Sequence, residues 1–380
     1  MPREPNAVDF WRGFALITIF IDHVPGNIYS YYTLANFSIS DAADLFVFLA
    51  GWSLRLLAEG GSRRRTTGEL ARRVITRAFE IYVAQILITM LAIAILATSA
   101  TVLHNPLLLQ WHNAAAVFND PVPTHIGLVV LSHQLGYFNI LPLYVVLMTM
   151  ASVFVVTDHL APKLLLPLSL AIYLFVLAFQ ITLPTWPVPG TWFFNPFAWQ
   201  LVFVLGFLLA KPDRGLGQWA RQHIVPLRII AVPIIIMGVL VPVYGWWPDP
   251  THVPSPKLFF IASKAYVSPM RLIQFLALIA VFSLAYRYIR LLTQFRYTRW
   301  PINLLIGLLS MLGRHSLYVF CVGSVMSLSA QVARYVFQGT VGSDTAMVII
   351  GTAVMAFTAW LAESKDRARP PTPAASAPRS

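Results

Sequence analysis

Arg12 and His23 are the residues of this chain best placed to do chemistry. Both lie in its first long apolar run, Val8-Asp-Phe-Trp-Arg-Gly-Phe-Ala-Leu-Ile-Thr-Ile-Phe-Ile-Asp-His23. Eleven positions on a helix are about three turns, so the guanidinium and the imidazole share a face, about 16 Å apart along the axis. Such groups are costly in a membrane helix and mark a site by default. The second apolar run repeats the spacing between Asp44 and Arg55. If the two runs are antiparallel helices, Arg12 comes level with Arg55, and His23 with Asp44. Two arginines at one depth could hold phosphates, and an Asp–His pair at the other could form a base and its orienting carboxylate. Asp22 either orients His23 from its neighbouring position or faces another helix. Plainer roles stand beside these: an i,i+3 ion pair for Asp9 and Arg12, a reach toward headgroups for Arg55, and a helix-end cap for His23 before Pro25 and Gly26.

Further along, Lys264 and Arg271 are seven apart, two turns on one face, and could hold a carboxylate or an oxyanion, or simply reach for headgroups. Trp186, Trp192, Trp199, Trp246 and Trp247 suit an interfacial belt first and sugar stacking second. His104, His112, His125 and His133 are irregularly spaced with no acidic cluster, which argues against a metal site. The single cysteine, Cys321, excludes an internal disulfide.

The elements that must position these groups are membrane helices. Of 380 residues, 57% are hydrophobic and 11% charged, too apolar for a soluble domain of this size. Apolar blocks fall near 10–28, 41–58, 78–102, 139–157, 164–183, 197–211, 226–246, 268–287, 314–337 and 343–362, each about long enough to cross a bilayer. The first carries Asp22 and His23 and reads as a span, not as a cleaved leader. The net charge of +12 is distributed by topology. Arg63, Arg64, Arg65, Arg72, Arg73, Arg77, Lys163, Lys211, Arg214, Arg221, Arg287, Arg290, Arg296 and Arg299 fall in alternate loops, and 28–40, 103–138 and 184–196 contain no Lys or Arg. Lys257, Lys264 and Arg334 break the pattern. The expectation is an all-α polytopic membrane protein of about ten spans with both termini cytosolic, membrane lipids as its surroundings and no nucleic-acid partner. One transmembrane domain covers 1–364, followed by a disordered tail over 365–380. Residues 301–313 read as a short interfacial or buried helix on the cytosolic side.

The Arg–His spacing resembles that of the membrane acyltransferase superfamily that includes the acyltransferase-3 proteins. Asp44 through Gly51, Asn139 through Leu147, Trp192-Phe-Phe-Asn-Pro-Phe-Ala-Trp-Gln200, Lys264 through Arg271 and Leu312 through Phe320 together resemble the OpgC family, whose members succinylate osmoregulated periplasmic glucans in Gram-negative bacteria. The resemblance runs from the first span to the ninth. It implies a multi-pass inner-membrane acyltransferase with no permanently bound cofactor and no metal. Succinyl-CoA would be the cytosolic donor and a glucan the periplasmic acceptor. Arg12, Arg55, Arg72, Arg73 and Arg314 would grip CoA phosphates. His23 would act as base or nucleophile, with Asp44 or Asp22 fixing its tautomer. Lys264, Arg271, Asn195, Trp199, Gln200 and Tyr144 would meet the acyl group or the acceptor. A secondary transporter of an anionic solute, a partner of a glucan synthase and an acetyltransferase of another envelope glycan are the alternatives. A homo-oligomer is left open.

Overall fold

Apolar runs bounded by Asn, Pro and Gly fold as helices, and the computed structural model, which describes residues 6–59 and 66–368, consists almost entirely of them. Among the described residues eleven helices have 14 residues or more. They are α1 (Ala7–Asp22), α2 (Ala42–Glu59), α3 (Thr67–Val102), α4 (Ile140–Leu160), α5 (Leu165–Phe179), α6 (Pro196–Leu209), α7 (Ile224–Tyr244), α8 (Pro269–Leu292), α9 (Arg296–Arg314), α10 (Ser316–Phe337) and α11 (Val341–Ala368). Short helical turns occupy much of 28–37, 106–129 and 215–222. One two-residue ribbon pairs β1 (Pro184–Thr185) with antiparallel β2 (Gly190–Thr191).

Ten of these helices coincide with the ten apolar blocks of the sequence. Six, α3, α4, α7, α8, α10 and α11, form helical stretches long and apolar enough to cross a membrane by themselves. The other four are shorter or more polar. α2 carries Asp44, Arg55 and Glu59. α1 stops at Asp22 rather than near 28, because the chain turns at Pro25 and Gly26, the latter with φ +77°. α5 and α6 are apolar but short. At 14 residues, α6 spans about 21 Å, less than the hydrocarbon core of a bilayer. It is buried on nearly every side, with Trp199, Phe203 and Phe207 at its centre. A helix that is apolar all round belongs inside a bundle.

Close helix contacts rest on missing side chains. A Cβ on Gly51 of α2 would lie 1.9 Å from the Phe203 carbonyl oxygen, and one on Gly206 of α6 would lie 2.0 Å from that of Phe48. The same reciprocity holds between α1 and α9, where Gly13 faces Leu309 and Gly313 faces Asp9. Small residues at such crossings let backbones approach and replace the hydrophobic drive that lipid does not supply. α9 is therefore longer than the 301–313 expected, and it buries Ile306, Leu309 and Leu312.

α3 starts at Thr67, well before the apolar block at 78. Thr66 and Glu69 form a capping box, each side chain 3.3 Å from the other's backbone nitrogen. With 36 residues it is about 54 Å long and carries Arg72, Arg73 and Arg77 on its first turns. At the other end of the chain, α11 continues to Ala368, four residues into the segment expected as tail. Residues 369–380, and Arg63, Arg64 and Arg65, lie outside the described residues.

Candidate active site

Two polar regions lie along the bundle, joined by the Arg12–His23 face of α1. The first is a cavity of about 510 Å³ between α1, α2, α3, α4 and α10. Arg72, Arg73 and Arg77 line it from the first turns of α3, and Arg77 pairs with Glu80 at 2.7 Å. Arg12 lines it from α1. Its guanidinium donates to the Ser53 hydroxyl, to the Leu49 carbonyl at 3.1 Å and to the Gly313 carbonyl at 3.5 Å. Phe46, Tyr144 and Phe320 also line it, with Phe46 packed on both other rings. The Tyr144 hydroxyl is buried with no hydrogen-bond partner among the described residues. The rest of the lining is mostly apolar, with Thr76 and Ser316 as its other polar residues. A site with cations at one end and an apolar throat suits a molecule with phosphates at one end and a long thin arm.

The second region surrounds His23, just past the end of α1. The imidazole stacks on Tyr137 with ring centres 4.6 Å apart and planes 19° from parallel. Its backbone oxygen accepts from Gln331 Nε2 at 2.5 Å. Gln331 Oε1 in turn meets His112 Nε2 at 2.7 Å. A carbonyl can only accept, so the Gln331 amide nitrogen must face His23, its oxygen must face His112, and His112 must carry its proton on Nε2. Burial pushes the His112 pKa down, with the Gln331 bond opposing, which favours that neutral form. The titratable groups acting on His23 from nearby are Lys264, Asp41 and His112. Lys264 Nζ donates to Asp41 at 2.6 Å and keeps about a third of its side chain exposed. Asp22 accepts from Thr33 Oγ1 at 2.5 Å.

Behind this cluster the charges are fully engaged. Asp44 is 0% exposed and accepts from Arg271 Nε at 3.0 Å, Arg271 Nη2 at 2.7 Å, Ser40 Oγ at 2.9 Å and the Asp41 backbone at 2.9 Å. Arg271 also donates to the Ile39 carbonyl at 2.5 Å and contacts Asp41 at 3.0 Å.

A family model described as OpgC protein matches residues 3–367. The chain belongs to the OpgC family. No curated protein matches it. Membership supports a membrane acyltransferase that modifies glucans.

Within this OpgC-family chain the sequence expectations meet mixed outcomes. Arg12, Arg72 and Arg73 line one cavity, together with Arg77. Arg55 does not. It donates to Asp158 at 2.8 Å, lies over the Phe207 ring at 3.8 Å and is 4% exposed. Asp158 also takes Lys211 at 2.7 Å, so this cluster ties together the ends of α2, α4 and α6. Arg314 pairs with Glu363 of α11 at 2.7 Å, while its neighbours Ser316 and Leu317 line the cavity. Asp44 does not orient His23, and Arg271 is not free for an acyl carboxylate, because each saturates the other. Tyr144 lines the cavity with Arg12.

Asn195, Trp199 and Gln200 are fully buried and bonded within the bundle. Asn195 caps α6 and donates to the Ile181 carbonyl at 2.6 Å. Gln200 exchanges bonds with Ser169 at 2.6 and 2.8 Å. Trp199 Nε1 donates to the Lys264 carbonyl at 3.1 Å, so this block holds the loop that carries Lys264. The residues the sequence did not single out for the site are Asp41, Tyr137, Gln331 and Ser53, and His112 was weighed there only as a metal ligand. Tyr137 and Gln331 lie far from His23 along the chain, with no local pattern pointing to them. Asp41 lies beside the Asp44 that the eleven-residue spacing favoured.

Proposed function

We propose that this protein moves a succinyl group from cytosolic succinyl-CoA to a hydroxyl of a periplasmic glucan, across the bacterial inner membrane. The observation that carries this reading is the arginine-rimmed cavity on one side of α1 and the imidazole about 16 Å further along the same helix face. Arg12, Arg72, Arg73 and Arg77 would hold the CoA phosphates, and the pantetheine arm would run up past Tyr144 and Phe46 toward His23.

Ten crossings with both termini cytosolic put the arginine-rimmed end in the cytosol. Of the three cations that break the charge rule, Lys264 is paired with Asp41 at 2.6 Å and Arg334 with Asp344 at 2.9 Å.

His23 accepts the proton of the glucan hydroxyl as its oxygen attacks the thioester carbonyl. The C–S bond breaks and the imidazolium returns the proton to the departing CoA thiolate. Attack by His23 itself, through an acyl-imidazole that the glucan then resolves, uses the same placement. Lys264, about a third exposed and held by a single carboxylate, is the group suited to exchange Asp41 for the free carboxylate of the succinyl group.

The test is CoA thiol release by purified protein in nanodiscs, with succinyl-CoA or acetyl-CoA, with and without periplasmic glucan. Wild type is expected to release thiol in a glucan-dependent way and to favour succinyl-CoA. His23→Ala is expected to lose at least about a hundredfold in rate while still binding CoA. Absence of release from folded wild type with either donor would overturn the reading.

A further inference from the structure

We infer that Tyr137, Gln331 and His112 form a clamp that positions His23 for the transfer, in the place where a carboxylate would ordinarily stand. The inference rests on the proposed function and adds three residues to it.

A catalytic imidazole works only if its ring is held in one orientation, and the usual device is a hydrogen bond from its second nitrogen to a carboxylate. Among the described residues no such bond reaches the His23 ring. The carboxylates nearby are engaged: Asp22 by Thr33, Asp41 by Lys264, and Asp44 by Arg271 and Ser40. The ring is held instead by its face. Tyr137 lies against it at 4.6 Å and nearly parallel, and His112 packs on the same phenol ring at 5.2 Å. Gln331 fixes the backbone end of His23 and links it to His112. Two contacts on separate parts of the residue, one on the ring and one on the carbonyl, define its direction.

The surrounding backbone is built for this arrangement. His112 and its neighbour Asn113 both adopt the left-handed region, with φ +58° and +62°. Residues with side chains rarely do so, and they stay there only where their surroundings hold them. Gly136 has φ +27°, and a Cβ there would fall 2.2 Å from His112 Nδ1. Glycine beside Tyr137 thus lets the His112 ring close on it. The stack also suits the chemistry. When His23 takes up the acceptor's proton, the imidazolium forms over an aromatic face, which attracts a cation. Burial pushes the His112 pKa down, which limits the charge it sets against that imidazolium.

Thiol release is measured on full-length protein in nanodiscs with succinyl-CoA and periplasmic glucan, and kcat and donor KM are read separately. Tyr137→Leu and Gln331→Leu are expected to lower kcat about tenfold or more, as displaced catalytic groups do, with donor KM unchanged. Tyr137→Phe keeps the stacked ring and is expected to restore most of the kcat lost in Tyr137→Leu. His112→Asn is the safeguard against misfolding, because Asn tolerates the left-handed backbone. It removes the ring against Tyr137 and is expected to lower kcat in the same way. Wild-type kcat in Tyr137→Leu or His112→Asn would overturn the clamp. So would a Tyr137→Phe as impaired as Tyr137→Leu, or losses in which donor KM and folded yield move with kcat. An inactive wild type would overturn the proposed function instead, which separates the two failures.

Discussion

Arg271 and Arg55 are both buried guanidiniums, and their partners decide how much each matters. Asp44 has no other cation at bonding distance among the described residues and is 0% exposed. Removing Arg271 would leave that carboxylate buried and uncompensated, which costs about 3–5 kcal/mol. Asp158 keeps Lys211 at 2.7 Å when Arg55 is lost, so a charge partner remains. Arg271→Met is therefore expected to lower the melting temperature in detergent far more than Arg55→Met does. Equal losses would show that Asp44 is satisfied by other means. The comparison also shows what residue spacing conveys. Eleven positions correctly place Asp44 and Arg55 on related faces of one helix, but not the direction in which that face points. Asp44 turns to α8 and Arg55 turns to α4 and α6, so neither meets the α1 residue level with it.

At the scale of elements, most of the architecture was legible, because a bilayer-length apolar block is a local signal. Ten blocks became ten helices. The misjudged boundaries are those set by polar residues. α3 begins at a capping box, Thr66-Thr-Gly-Glu69, which is itself a local signature. α9 is amphipathic, and only its apolar part, 301–313, was legible as a helix. The partners of His23 were not legible, because Tyr137, in the turn before α4, and Gln331, on α10, reach it only in the folded bundle. The extra turns of α3 carry a prediction of their own. Arg72, Arg73 and Arg77 are exposed where they line the cavity, so under the proposed function their charges would act on the donor through solvent. Replacing any one with Ser is expected to raise donor KM about threefold to tenfold and to leave kcat near wild type. The defect should shrink as salt screens the wild-type contact. A fall in kcat at unchanged KM would place these residues outside donor binding.

For the whole molecule, transfer across a membrane requires the arginine-rimmed cavity and His23 to open on opposite sides of the bilayer. Tyr32, 78% exposed, lies in the segment that follows His23, and Tyr297, 93% exposed, lies shortly after the end of α8, whose Tyr286 packs on Phe10 near the Arg12 end of α1. The chain has one native cysteine, Cys321, so a background without it needs a single substitution, Cys321→Ser. Tyr32→Cys and Tyr297→Cys can then be introduced separately and treated with a membrane-impermeant maleimide. In spheroplasts Tyr32→Cys is expected to label, and Tyr297→Cys only after lysis. Inverted vesicles should give the reverse. Labelling of both from one side would place the two ends of the Arg12–His23 face in the same compartment. The donor and the glucan would then have to meet there, and no acyl group would cross the bilayer, even if every residue assignment made above were correct.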